Sequence, residues 1–155
     1  HESGYEDIEY EEVIIDAGAM RLVQDPTQFD VLLCENLYGD VMSDLCAGFV
    51  GGLGVTPGSN IGETNAIFEA VHGSAPDIAG KGLANPLAIT MSGVMMLNHL
   101  GVSRGDANAS AAASRIREAY NRTLGDGVRT IDLGGTSSTS EFTEAIIERL
   151  SGVEA

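Results

Sequence analysis

Asp40 and Asp44 stand four residues apart in the run Asn36-Leu37-Tyr38-Gly39-Asp40-Val41-Met42-Ser43-Asp44. On a helix, that spacing places both carboxylates on one face with their Cβ atoms about 5–6 Å apart. Like charges so placed cost a helix about 0.2–0.5 kcal/mol, and aspartate is a poor residue for a helix interior. Two things could offset the cost. The positive end of the helix would help Asp40 more than Asp44, and a divalent cation would help both. A donor set made of oxygen suits Mg²⁺ or Mn²⁺, and a cation held by few carboxylates keeps positions open for substrate oxygens. By spacing alone, a solvated acidic face is the favoured reading of this pair, since any acidic chain offers such pairs.

A second group of residues follows an apolar stretch. It reads Phe68-Glu69-Ala70-Val71-His72-Gly73-Ser74-Ala75-Pro76-Asp77-Ile78-Ala79-Gly80. Gly73 permits positive φ or the close approach of a ligand, and Pro76 stiffens the segment. Asp77 could accept hydrogen bonds from a ribose diol, and its charge would repel a 2′-phosphate, which favours NAD over NADP. His72 taken singly is more often a structural histidine than a functional one. No GxGxxG follows a strand, and Gly51-Gly52-Leu53-Gly54-Val55-Thr56-Pro57-Gly58 lacks the lysine of a phosphate-binding P-loop and reads as a turn.

These residues need elements to hold them. Val13–Ile15 reads as a short strand, with Asp16 as N-cap of a helix over Ala17–Val23 that Pro26 stops. Val31-Leu32-Leu33-Cys34 is a continuous apolar run, as expected of a strand buried on both faces of a parallel sheet. The pattern predicts a helix from about Tyr38 to Val50, a strand over Ala66–Val71 and a long loop over His72–Pro86. Helices are expected over Leu87–Leu100, with Met91, Met95 and Met96 in the core, and over Ala107–Leu124, with Arg115, Arg117 and Glu118 on the wet side. Ser140 is expected to open a last helix ending at Leu150. Strands alternating with helices indicate an α/β architecture.

The chain has 155 residues, 43% of them hydrophobic, enough for one globular domain with a real core. Its net charge is −15 and its single lysine is Lys81. A nucleic-acid partner is not expected, because phosphates must be neutralised by Lys and Arg. An anionic membrane surface is disfavoured for the same reason, and no apolar run is long enough to span a bilayer. The acidity reads as solubility, with a high-salt habitat as the alternative. Cys34 and Cys46 read as small buried residues rather than a disulfide framework. With no signal peptide visible, a cytoplasmic location is the expectation.

Taken in order, the motifs resemble the isocitrate/isopropylmalate dehydrogenase family. They run from Ile15-Asp16-Ala17 with Met20, through Asn36–Asp40 with Ser43-Asp44, Gly51–Gly54 and Phe68-Glu69 to Pro86, and end at Asp132-Leu133-Gly134-Gly135. The likeness covers nearly the whole chain from about Ile8 and is closest to NAD-dependent isocitrate dehydrogenases. It implies the C-terminal portion of an isopropylmalate dehydrogenase-like fold, with a parallel or mixed sheet flanked by helices. Residues 1–25 would be a remnant of the small dimerisation domain, and 26–155 would belong to the large domain that binds cofactor and metal. Asp40 and Asp44 would be metal ligands from one subunit, and Asp16 would reach the same Mg²⁺ or Mn²⁺ from the partner subunit of a homodimer. Glu69, His72, Gly73, Ser74, Ala75, Pro76, Asp77, Ile78 and Asn85 would line the cofactor, and Asp77-Ile78 match the NAD-type pair. The implied reaction is oxidative decarboxylation of a 2-hydroxy acid, with the hydride passing to the nicotinamide.

One departure matters. The family's base lysine, acid tyrosine and substrate-binding arginines all lie upstream of the position of Asp16. Lys81 falls in the cofactor loop and cannot match the base. The chain is therefore expected to carry metal and dinucleotide determinants without complete catalysis. Asn36–Asp40 followed by Leu45-Cys46-Ala47-Gly48 resembles isocitrate dehydrogenases, which implies isocitrate as substrate and a place in the tricarboxylic acid cycle. Homoisocitrate is second, a choice that Gly62-Glu63-Thr64 also fits, and 3-isopropylmalate is third. Two alternatives remain, a free-standing nucleotide-binding module and a non-catalytic regulatory subunit.

Overall fold

The computed structural model describes residue 5 and residues 7–152. They pack as two units that divide between Leu45 and Cys46.

In the first unit, α1 covers Ile15–Gln24 and buries Gly18 and Leu22. Its N-cap is Ile14, not Asp16. Asp16 sits inside the first turn, where its carboxylate favours the positive end of the helix. Val13–Ile15 forms no strand, and Ile15 is already helical. Pro26 does end α1 and begins a single 3-10 turn, Pro26–Gln28, capped by Asp25, whose side chain accepts from the Thr27 amide at 3.0 Å. Hydrogen bonds from the Thr27 side chain and backbone hold the Asp25 carboxyl below its usual range. Arg21 crosses to Glu11 at 2.9 Å and stacks 5.3 Å over the Phe29 ring.

The stretch Val31–Cys34 is not a strand either. Val31 is 86% exposed and Leu33 92%. An apolar run becomes a strand only when a neighbour satisfies its backbone groups, and among the described residues nothing pairs with it. Cys34 and Cys46 are both free and half-buried rather than buried.

Helix α2 runs Asn36–Val50, two residues earlier than the pattern predicts. In the second unit a 3-10 turn, Leu53–Val55, leads into β1 (Pro57–Ile61). This strand pairs antiparallel with β2 (Ala66–Ala70), from Pro57 opposite Ala70 to Ile61 opposite Ala66. The glycine-rich run is thus a turn only up to Thr56, and Gly58 is a strand residue. The sheet among the described residues is this hairpin, and a lone parallel bridge joins Thr130 and Ser137.

Helix α3 (Leu87–Arg104) packs on the hairpin. Buried Ser92 donates to the Glu69 carbonyl at 2.6 Å, and the His99 ring lies 5.6 Å from Phe68. Met91 packs against the core, whereas Met96 is exposed. Gly105, at φ 64°, ends α3, and the Asp106 side chain caps α4 (Ala107–Gly125) through the Asn108 and Ala109 amides. Alanine at 113 and 119 lets α4 approach closely, and both are fully buried. Arg115, Arg117 and Glu118 do face solvent.

Helix α5 is Thr139–Ser151. Ser138, not Ser140, opens it: the Ser138 hydroxyl accepts from the Glu141 amide while the Glu141 carboxylate accepts from the Ser138 amide. This is a capping box, and the bonds that the Glu141 carboxylate accepts from the Ser138 amide and hydroxyl hold it below its usual range. Phe142 and Ile146 of α5 then close the core with Leu87 and Ala119.

Candidate dinucleotide and cation sites

Asp40 and Asp44 lie on α2, one turn apart and both exposed. Because the helix begins at Asn36, Asp40 lies beyond the first turn, where the end charge has largely decayed. Among the described residues neither carboxylate meets a basic side chain. Ser43 donates to the Asp40 carbonyl at 2.9 Å, leaving the Asp40 side chain to solvent. Asp16 accepts at 2.6 Å from the next amide, Ala17, and is also exposed. Among the described residues no three acidic, histidine or cysteine side chains gather into a cation site, so Asp16 does not join the α2 pair within one chain. The pair itself fits a hard divalent cation. It offers two oxygen donors on one face, and Mg²⁺ is commonly held by one or two carboxylates with water completing the shell.

The second site is the loop between β2 and α3. Its first residue, His72, has Nδ1 3.0 Å from the Gly73 carbonyl, a contact that requires Nδ1 to carry the proton. A side chain at Gly73 would meet open space, so a ligand can approach the backbone there. Ala75 takes the left-handed conformation at φ 43°. This is uncommon for a residue with a Cβ, and it turns the chain into a 3-10 turn at Pro76–Ile78. Asp77 lies in that turn, exposed. Glu69 is exposed on β2 and accepts from the Asn60 side-chain amide at 3.0 Å. Asn85, at the far end of the loop, is half-buried.

The loop is fixed at its C-terminal end by residues that sequence reasoning did not assign to the site. The Thr139 amide donates to the Gly82 carbonyl at 2.8 Å, and its hydroxyl donates to the Ala84 carbonyl at 2.5 Å. Asn85 donates to Asp132 at 2.9 Å and accepts from the Leu87 amide at 2.9 Å. Asp132 stands in the motif Asp132-Leu133-Gly134-Gly135, and that motif is the one signal in the sequence that points to it.

The profile for isocitrate/isopropylmalate dehydrogenases matches residues 1–146. The chain belongs to that family. Among its relatives is an Arabidopsis thaliana protein named as catalytic subunit 5 of mitochondrial NAD isocitrate dehydrogenase, 57% identical over 94% of this chain and 38% of that protein. A Dictyostelium discoideum protein named as a regulatory chain of mitochondrial NAD isocitrate dehydrogenase is 54% identical over 94% of this chain and 40% of its own length. An isocitrate/homoisocitrate dehydrogenase of Thermus thermophilus is 51% identical over 92% and 41%. A crystal structure of isocitrate dehydrogenase from Methylococcus capsulatus superposes with a TM-score of 0.84 at 50% identity, covering 94% of this chain and 42% of that one. The chain thus spans about two fifths of these family members, and its fold is the α/β fold of the family. The relatives' names do not support the cytoplasmic expectation, since those from Arabidopsis and Dictyostelium are mitochondrial.

Proposed function

We propose that this chain supplies the cation and dinucleotide determinants of an NAD-linked, Mg²⁺- or Mn²⁺-dependent decarboxylating dehydrogenase acting on isocitrate. The observation that carries it is the pair Asp40 and Asp44, exposed on one face of α2 and free of ion pairs among the described residues, in a family whose relatives include NAD isocitrate dehydrogenase subunits. A bound divalent cation would polarise the substrate's hydroxyl and stabilise negative charge as CO₂ departs. Asp40 and Asp44 hold that cation, with Asp16 donated by a partner copy in a homodimer. The loop from His72 to Asn85, with Glu69 before it, holds NAD, and Asp77 receives the ribose diol. Residues 1–25 belong to the dimerisation domain and 26–155 to the large domain.

The identity with the Dictyostelium regulatory chain favours a second role, a regulatory one. The catalytic role is supported by the presence of all three aspartates. Homoisocitrate is the alternative substrate, on the strength of the Thermus relative's name. Calorimetric titration with Mn²⁺ separates the roles. Saturable binding that Asp40→Asn and Asp44→Asn each weaken at least tenfold is the expected result, a tenfold loss being about 1.4 kcal/mol. Binding unchanged in both variants would exclude the catalytic role.

A further inference from the structure

We infer that Asp132 is a positioning residue for NAD, acting through Asn85 on the end of the cofactor loop. This rests on the loop's assignment to the dinucleotide. Three segments distant in sequence converge here. Asp132 Oδ1 accepts from the Thr130 hydroxyl at 2.6 Å, and Oδ2 accepts from Asn85 Nδ2 at 2.9 Å. Asn85 Oδ1 accepts from the Leu87 amide at 2.9 Å, at the start of α3. The third segment is the turn at Gly54, where a Cβ would stand 2.8 Å from Asp132 Oδ2 and 3.4 Å from Asn85 Cβ. No side chain fits at that position while the pair stays in place.

Both polar ends of the Asn85 amide therefore already have protein partners. Its contribution to NAD binding is to hold the loop backbone in place. Asp132 sets the amide's orientation: a carboxylate can only accept, so it draws Nδ2 and leaves Oδ1 to the Leu87 amide. Fixing a loop before the ligand arrives lowers the ordering cost of binding.

The chemistry provides its own control. In Asp132→Asn an amide donor can face the Asn85 donor. In Asn85→Asp two carboxylates face each other. In the double variant every bond returns, with donor and acceptor exchanged only in the one between positions 85 and 132. The carboxylate now at position 85 accepts from the Leu87 amide and from the side-chain amide now at position 132, whose carbonyl oxygen accepts from Thr130. NAD affinity is read by calorimetry in the wild type, both single variants, the double variant and Asp77→Asn, with Mn²⁺ affinity and thermal midpoint in parallel. Each single variant should weaken NAD binding roughly tenfold, the scale of one mispaired hydrogen bond, with Mn²⁺ affinity unchanged. The double variant should recover most of the loss, as coupled neighbours do. Single variants that bind NAD like the wild type, or a double variant no better than the worse single, overturn the role of Asp132 while Asp77→Asn still weakens binding. Wild-type protein without NAD affinity, or affinity indifferent to Asp77→Asn, overturns the cofactor-loop assignment and the tether with it.

Discussion

Replacing Asp77 with asparagine removes one negative charge from the loop while keeping a side chain of the same shape. Asp77 is exposed in the turn Pro76–Ile78, so its field acts largely through water. Two unit charges 4 Å apart in water interact by about 1 kcal/mol. A phosphate carries about −1.5 to −2 near neutral pH. Asp77 should therefore disfavour NADP against NAD by about 1.5–2 kcal/mol, or roughly 10- to 30-fold in affinity. In Asp77→Asn that part of the preference disappears, and NAD itself binds more weakly because the amide accepts fewer bonds from the ribose diol. Calorimetric dissociation constants for both cofactors measure the ratio. Raising the salt should shrink the wild-type ratio and leave the variant's nearly constant, since screening at about 0.15 M acts over about 8 Å. A ratio unchanged by the substitution, at low and high salt alike, would refute the electrostatic reasoning.

Two further outcomes concern stability. Ser138→Ala removes the cap of α5 and should cost about 1 kcal/mol, seen as a lower thermal midpoint. Glu141 adds a pH signature: its carboxyl is held down in the folded chain, first by the Ser138 backbone amide and then by the Ser138 hydroxyl. Its stabilisation is therefore complete above the ordinary value of 4.5 and is lost as pH falls through the lowered folded value. The gap in midpoint between wild type and Glu141→Gln should accordingly be widest near neutral pH and close in acid. Gly135→Ala should be costlier than an ordinary surface change, because the new Cβ would overlap the Arg129 carbonyl. That carbonyl already accepts from the Ser137 amide at 2.9 Å. A loss of about 2–3 kcal/mol in denaturant unfolding is expected, the upper range for overpacking.

What the sequence makes legible is local. α3 and α4 follow from long apolar and alanine-rich runs with clear stops. The exposed loop after β2 follows from Gly73, Pro76 and Pro86. Asp40 and Asp44 share a face because a helix places residues four apart together, whatever surrounds it. The start of α5 is harder, because Ser137, Ser138, Thr139 and Ser140 all make acceptable caps. The capping box with Glu141 and the burial of Phe142 select Ser138. β1 is invisible because Pro57-Gly58-Ser59-Asn60-Ile61 has no alternation of its own, and pairing with β2 makes it a strand. Val31–Cys34 fails for the converse reason: its composition suits a strand, but pairing is a property of two segments. The Asn85–Asp132 bond joins residues 47 positions apart, a separation that no short-range pattern reports.

The bare Val31–Leu33 ribbon has a practical consequence. Consecutive β-branched and leucine side chains in water, beside amides that no strand among the described residues engages, form an adhesive edge. Such an edge offers its free amides and carbonyls to any segment that can add to it, and the −15 charge on the chain repels a second copy less as salt rises.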